Sequence, residues 1–352
     1  MPRLRVPPPV PHAPPLGALL RRYSAGSALT CEPVDQGLLN RGYRLCTTRG
    51  RYFLKHHSDP DTADPAAIDR QHRATRRLAD LGVPVAPPLP GRDGRTVAVV
   101  GGHAYALHPW IDGRHRHGGQ LTLAQCARLG ALLGAVHAGL EQVMPAHGRA
   151  PAARTEGPSG PGPAESADPA DTFALIDDLL ARVQRHRPAD SFDELARHRL
   201  LERRLLLARH ADRRPPRGAA VGWVHGDFHP FNLLYKGDAP AAIVDWDRLG
   251  VRPRAEEAVR AAAIFFVRPG GALDLPRVRA YARAYRRTAG ATPSHLGAAV
   301  HRVWWERLND FWMLRWHYER GDTRADPQFP AASALAVWWT RQYDAVCDAF
   351  AQ

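Results

Sequence analysis

The chain has 352 residues, 44% hydrophobic and 24% charged, with a formal net charge of +13. That length accommodates one large core or two lobes around a cleft, and the composition is ordinary for a soluble globular enzyme. No apolar run approaches the ~20 residues that cross a bilayer, and the N-terminus lacks the apolar stretch of a signal peptide.

The four cysteines (Cys31, Cys46, Cys126, Cys347) are scattered and never form C-x-x-C. That excludes a disulfide framework and a zinc site, and fits a reducing cytoplasm. The net charge raises nucleic acid as a partner. However, all but two of the 48 basic residues are arginine, spread along the whole chain. Such a bias reads as codon usage, not as a binding face, so neither a nucleic-acid nor a membrane partner is expected. A nucleoside triphosphate uses the excess charge equally well.

In chain order, residues 1–16 are Pro-rich and expected to be a disordered lead. Residues 17–108 read as a small, mainly β lobe with one long helix. In it, 37–57 forms two strands around a turn at Thr48-Arg49-Gly50-Arg51. The segment "DPAAIDRQHRATRRLADLG" (64–82) is a helix with Asp-Pro at its start and Gly at its end. Residues 94–110 form a hairpin around Gly101-Gly102. From 109 to 352 the pattern is helical, beginning with 122–143. Residues 148–171, rich in Gly, Pro and Ala, are expected to be a disordered insertion. Helices resume at 172–186 and 192–211.

Two stretches carry the chemistry: "WVHGDFHPFNLLY" (223–235) and "AAIVDWDRLG" (241–250). Phosphoryl transfer needs a carboxylate for the attacking hydroxyl's proton, oxygen ligands for magnesium, and a cation near the phosphates. Asp227 suits the first role. Asn232 follows five residues later, as in the protein-kinase catalytic loop, and Asp245 ends the next apolar run, where a kinase holds its metal. The apolar strands 221–224 and 241–244 are expected to pair and bring the three together. Taken singly, each Asp reads as a turn cap and His225 as a packed core histidine.

Over "VHGDFHPFNLLY" and "AAIVDWD", and less strongly over "GLLNRGYRL", "RYFLKHH" and "LADLGVPVAPPLP", the sequence resembles the aminoglycoside phosphotransferase family. Choline kinases and one type of homoserine kinase are relatives of that family. The resemblance covers roughly residues 30–320 and implies an α+β, two-lobed protein-kinase-like fold with a small β-rich N-lobe and a large helical C-lobe. It implies an ATP- and Mg2+-dependent kinase with a small-molecule alcohol as acceptor. Asp227 would then be the catalytic base, and Asn232 and Asp245 the metal ligands. Lys55 would contact the α- and β-phosphates, and a lysine kept in so arginine-rich a chain suits that role. The turn Asn40-Arg41-Gly42 would cover the phosphates. Leu107 to Trp110, including His108, would read adenine through backbone groups.

Gln71 departs from the family's usual Glu partner of the lysine. It can accept a hydrogen bond from Lys55 but brings no charge, and Asp69 is the alternative carboxylate. Asp247 reads equally as a metal or substrate ligand and as a salt-bridge partner of Arg248 or Arg252.

The segment "VWWERLNDFWMLRWHYER" (303–320) reads as one helix. Trp305, Trp312 and Trp316 share a face, as do Glu306, Asp310 and Met313. This is either a core stripe or an aromatic and acidic wall for an amino-sugar or amino-alcohol. Glu256 and Glu257 join that wall or form a surface helix face. The competing functional reading is a kinase-fold pseudoenzyme that binds or scaffolds.

Overall fold

The computed structural model describes residues 14–34, 40–58, 64–144, 166–216 and 222–352. The chain divides into two compact units. One comprises the described residues through Arg73 together with Ala86–Trp110, the other Ala74–Val85 with the described residues from Ile111 onward.

The first unit holds a five-stranded antiparallel sheet, ordered β1-β2-β3-β5-β4. Its strands are β1 (Ala28–Val34), β2 (Arg41–Thr47), β3 (Gly50–His57), β4 (Val97–Val100) and β5 (His103–Pro109). Along β2 the side chains of Tyr43, Leu45 and Thr47 are buried in strict alternation, the period of a half-buried strand. Gly101 and Gly102 join β4 to β5 with φ of +60° and +80°. Both lie in left-handed space, which glycine enters without the Cβ clash other residues meet.

Two helices accompany the sheet, not the one that was expected. Helix α1 (Leu16–Tyr23) packs Leu19, Leu20 and Tyr23 on Tyr43, Leu45, Leu54 and Leu107. Leu16, assigned to the disordered lead, is its first residue, and residues 1–13 lie outside the described residues. Helix α2 (Pro65–Asp80) is capped by Asp64, whose carboxylate accepts the Ala66 and Ala67 N–H groups at 3.1 Å each. The boundary between the units falls inside α2. The expected 17–108 lobe is therefore interrupted, because Ala74, Leu78 and Val83 pack in the core of the second unit.

In the second unit, α3 (Leu123–Val143) starts with a capping box. Thr122 Oγ1 accepts the Gln125 N–H at 3.2 Å, and Gln125 Oε1 accepts the Thr122 N–H at 2.8 Å. Helix α3 lies close against α7 (Leu275–Ala289): a Cβ at Gly130 would sit 2.1 Å from the Tyr281 carbonyl oxygen. Among the described residues α3 is long and apolar enough to cross a membrane by length and composition. This corrects the expectation that no apolar run approaches that length. Leu129, Leu133, Val136 and Leu140 are buried in the core beside Phe266, Tyr281 and Tyr285, which accounts for its composition.

Helices α4 (Pro169–Arg185) and α5 (Ser191–His210) follow. Asp168 caps α4 by accepting the Ala170 N–H at 2.8 Å, so 169–171 belong to a helix and not to the expected insertion. Residues 148–165 of that insertion lie outside the described residues.

The strand pairing differs from expectation. β6 (Gly222–Val224) pairs with β9 (Gly250–Arg252), and β7 (Leu233–Lys236) with β8 (Ala239–Ile243). Helices α6 (Arg254–Phe266), α7, α8 (Pro293–Asn309), α9 (Trp312–Arg315), α10 (Phe329–Arg341) and α11 (Tyr343–Ala351) complete the unit. The single helix expected at 303–320 is broken. α8 stops at Asn309, Asp310 Oδ1 accepts the Trp312 N–H at 3.1 Å, and α9 runs into a π-helical turn at Trp316–Arg320.

Candidate active site

Strand β6 ends with Val224, fully buried, and delivers His225, Gly226 and Asp227 in succession. His225 is itself fully buried and braces the loop. Its Nε2 lies 3.0 Å from the Val244 carbonyl, and its Nδ1 accepts the Asp227 N–H at 3.2 Å. Burial pushes its pKa down, against the pull of Glu257 and Asp227, so the ring is neutral. A neutral ring has one donor and one acceptor, and both contacts are met with the proton on Nε2.

Gly226 has φ +87°, and a Cβ there would lie 2.1 Å from the Arg248 carbonyl oxygen. Gly226→Ala is therefore expected to combine left-handed strain of about 1–3 kcal/mol with a backbone clash. The check is a lowered Tm together with a loop that no longer supports turnover.

Asn232 closes a 3-10 turn (Pro230–Asn232) directly before β7. Its Nδ2 donates to the Asp227 carbonyl at 2.9 Å and lies 3.2 Å from His229 Nε2. That orients the amide and leaves Oδ1 as its remaining acceptor. The Asn232 carbonyl accepts the Val244 N–H at 2.9 Å. This bond closes the open end of the β7–β8 hairpin, so Asn232 and Asp245 emerge at the same place. Asp245 is exposed and has φ +60°, a conformation that Asp tolerates better than most residues.

The Asp227 carboxylate stands beside an imidazole and a guanidinium. Its Oδ2 is 3.6 Å from His229 Nε2 and 3.8 Å from Arg248 Nε. Burial opposes its charge, but the His229 hydrogen bond, the His229 charge and Arg248 outweigh that and hold its pKa below the ordinary carboxylate value. Asp227 is thus ionised at neutral pH.

Sequence reasoning missed the part played by Glu257. It was assigned to an acceptor wall or a surface face, whereas it is 4% exposed. Its Oε2 accepts the His225 N–H at 3.2 Å, and its Oε1 accepts the Gly226 N–H. His137 completes the arrangement, with Nε2 2.7 Å from Glu257 Oε2 and Nδ1 3.0 Å from the Tyr285 hydroxyl. Burial works against the Glu257 charge, yet His137, His225 and the Gly226 N–H hold its pKa below the ordinary value. Its position four and eight residues before the buried Ala261 and Phe265 was the available signal: a carboxylate on an apolar stripe.

The remaining expected residues are dispersed. In the first unit Lys55 lies on β3, opposite Gly42 and Ala106 in the ladder, and is 9% exposed. Gln71 on α2 is buried, while Asp69 pairs with Arg73 along the helix. Arg41 and Gly42 are strand residues and not a turn, and Asn40 Oδ1 accepts the Ser58 N–H at 3.0 Å. Of the expected adenine-reading groups, the Leu107 carbonyl already accepts the Leu89 N–H at 2.7 Å. The Trp110 N–H donates to Arg51 O at 3.1 Å, and His108 Nδ1 is 2.9 Å from Ala86 O.

In the second unit Arg248 pairs with Asp227 and not with Asp247, which is half-buried. Trp305 is core, 1% exposed, donating its Nε1–H to the Ala167 carbonyl at 3.0 Å. Glu306 is clamped by Arg260, with contacts of 2.6, 2.9 and 3.2 Å. Glu256 pairs with Arg302. Trp312 packs edge-on against Trp316, ring centroids 5.3 Å apart. The expected shared faces of 303–320 do not form, because the helix breaks at Asp310.

A five-stranded antiparallel sheet, a helical unit and an H-G-D loop followed by a hairpin ending in Asp define the protein-kinase-like phosphotransferase class. The chain belongs to the phosphotransferase enzyme family, whose model matches residues 30–291. It is similar to the homoserine kinase of Caulobacter sp. (strain K31), 28% identical over 66% of this chain and 63% of that protein. The matches to the curated relatives span less than two thirds of their length. Among solved structures, it resembles a spectinomycin phosphotransferase in complex with ADP and spectinomycin, at TM-score 0.62 and 14% identity, covering 93% of this chain and 97% of the other. It also resembles a microcompartment-associated aminopropanol kinase, at TM-score 0.60 and 17% identity, over 95% and 98% of the two chains. These likenesses establish the fold.

Proposed function

We propose that the protein is an ATP-dependent kinase that moves the γ-phosphate to a hydroxyl of a small molecule. The observation that carries this is the hairpin end, where Asn232 and Asp245 emerge together and the Asn232 amide is tied to the backbone of Asp227. The donors fit magnesium: one amide oxygen and one exposed carboxylate are hard oxygen ligands that leave room for waters and phosphates. When bound, the ion neutralises charge on the β- and γ-phosphates. Asn232 and Asp245 would hold it. Asp227, ionised, would orient the acceptor hydroxyl and take its proton. In the first unit, Lys55 is assigned to the nucleotide phosphates and Gln71 to hydrogen bonding with it. The four free cysteines accord with a cytoplasmic location.

The relatives named above are kinases of homoserine, aminopropanol and spectinomycin, all hydroxyl acceptors. A pseudoenzyme accounts less well for the site, since a pure binder has no use for an ionised base beside two metal ligands.

The test is thermal stabilisation. At a nucleotide concentration of about 100 Kd, binding to the folded state adds about 2.7 kcal/mol. The wild-type Tm should rise with ATP and magnesium together, and Asp245→Ala should lose the magnesium-dependent part. A Tm indifferent to both ligands would end the kinase reading.

A further inference from the structure

In the second unit the carboxylates expected to form an acceptor wall are engaged, and Arg252 is not. Glu306 is clamped by Arg260, Glu256 by Arg302, and Glu257 is buried on the loop backbone. Asp310 follows α8 and accepts the Trp312 N–H at the start of α9, and burial pushes its pKa up despite Arg307. No free acidic wall remains among these residues to receive an ammonium group.

The cations are placed differently. Arg248 reaches Asp227 at 3.8 Å with its side chain 49% exposed. Arg252, on β9 opposite Gly222, is exposed, and among the described residues its side chain makes no hydrogen bond or ion pair. Partial desolvation and the charges of Arg260 and Arg248 lower its pKa, while Glu257 and Asp227 raise it. The Arg252 side chain folds back over Gly250, its Nε 4.0 Å from where a Cβ would stand there, with the Arg248 carbonyl oxygen 3.6 Å from the same point. It feels Glu257, Asp227 and Glu306 only at longer range.

We propose that Arg248 and Arg252 form an anion site for the acceptor, which is a short alcohol bearing a carboxylate or phosphate a few bonds from its reacting hydroxyl. This rests on the kinase reading above and narrows it. A guanidinium matches either anion through paired N–H donors. Arg248, already on Asp227, would set the hydroxyl within reach of that carboxylate. A polycationic amino-sugar would meet two arginines there instead.

The test measures binding first. With magnesium and ADP present, the Tm of the full chain is recorded with homoserine and glycerate (carboxylates), glycerol 3-phosphate (a phosphate), glycerol (neutral), and aminopropanol and spectinomycin (cationic). Steady-state rates with ATP follow. Anionic alcohols should stabilise the wild type and be preferred in kcat/KM by at least about tenfold, the worth of one hydrogen bond to a charged group. The carboxylate and phosphate arms identify which anion is used. Arg252→Gln should raise the acceptor KM by a similar factor with kcat and the ATP KM little changed, and Arg252→Lys should recover part of the loss.

Stabilisation by cationic or neutral alcohols alone, or by none, would overturn the proposal. So would an Arg252→Gln effect confined to the ATP KM, which would assign this arginine to the nucleotide. In each of these cases an intact magnesium–ATP shift leaves the kinase reading standing. Loss of that shift is the separate failure of the reading itself.

Discussion

Asp227→Asn should lower kcat by roughly a hundred- to ten-thousand-fold, the range for removing a positioned general base. The variant keeps the size and shape of the side chain and loses the charge. The Asn232 amide is tied to the Asp227 main-chain carbonyl, which the substitution leaves in place, so the loop should hold its shape. Stabilisation by ATP and magnesium should therefore survive while transfer collapses. A variant that loses both has lost its loop, and one that keeps near-wild-type turnover removes Asp227 from the role of base. His229 and Arg248 hold the Asp227 pKa below its ordinary value, so the acid limb of the rate profile should lie below the usual carboxylate range of about 4.

The second large effect is expected at Glu257. In Glu257→Ala the His225 and Gly226 N–H groups lose their acceptor, and His137 loses a partner. Each buried donor left unpaired costs about 1–3 kcal/mol, so a loss of roughly 2–5 kcal/mol is expected. At about 2–4 °C per kcal/mol, calorimetry should show a large drop in Tm. The loop carrying Asp227 would also shift, and a displacement of about 1 Å is enough to cost on the order of a hundredfold in rate. Glu257→Gln should fall between, because it keeps an acceptor for one N–H and turns an amide NH2, a second donor, toward the other. The folded-state pKa of Glu257 lies below its unfolded value of about 4.3. Its contribution is therefore fully present above the unfolded value and is lost as pH falls through the folded one. The stability difference between wild type and Glu257→Gln should shrink over that acidic window. A Glu257→Ala protein as stable and active as the wild type would mean that the loop does not depend on this carboxylate.

What the sequence revealed followed the distance over which each feature is encoded. Asn232, the β7–β8 hairpin and Asp245 lie within fourteen consecutive positions, so spacing alone suffices to set them at one hairpin end. The Gly101-Gly102 turn, the Asp64 cap and the Thr122–Gln125 box are likewise local. The pairing of β6 with β9 is not, because Trp223 meets Val251 only after the intervening hairpin has formed. Two apolar runs of similar length suggested the wrong partners. Helix α1 was hidden by its eight-residue length behind a proline run, although Leu19, Leu20 and Tyr23 make a usable apolar face. The break before α9 contains neither proline nor glycine; its one local signal is Asp310, a residue that favours caps over helix interiors. Glu257 was missed because a pair of glutamates early in a helix ordinarily faces water. Only the apolar residues at its i+4 and i+8 positions indicate otherwise.

The interrupted boundary in α2 bears on how such a protein can be cut. The backbone passes from one unit to the other after Arg73, returns after Val85, and leaves again after Trp110. A fragment ending at Trp110 would carry off Ala74, Leu78 and Val83, which fill the larger unit's interior, and would expose them to solvent. A fragment ending at Arg73 would lack β5, the ladder partner on one side of β3, and β4 beyond it. Neither half is therefore a transferable gene segment. Truncation, fusion and recombination would have to treat the stretch through Trp110 and everything after it as one inherited piece.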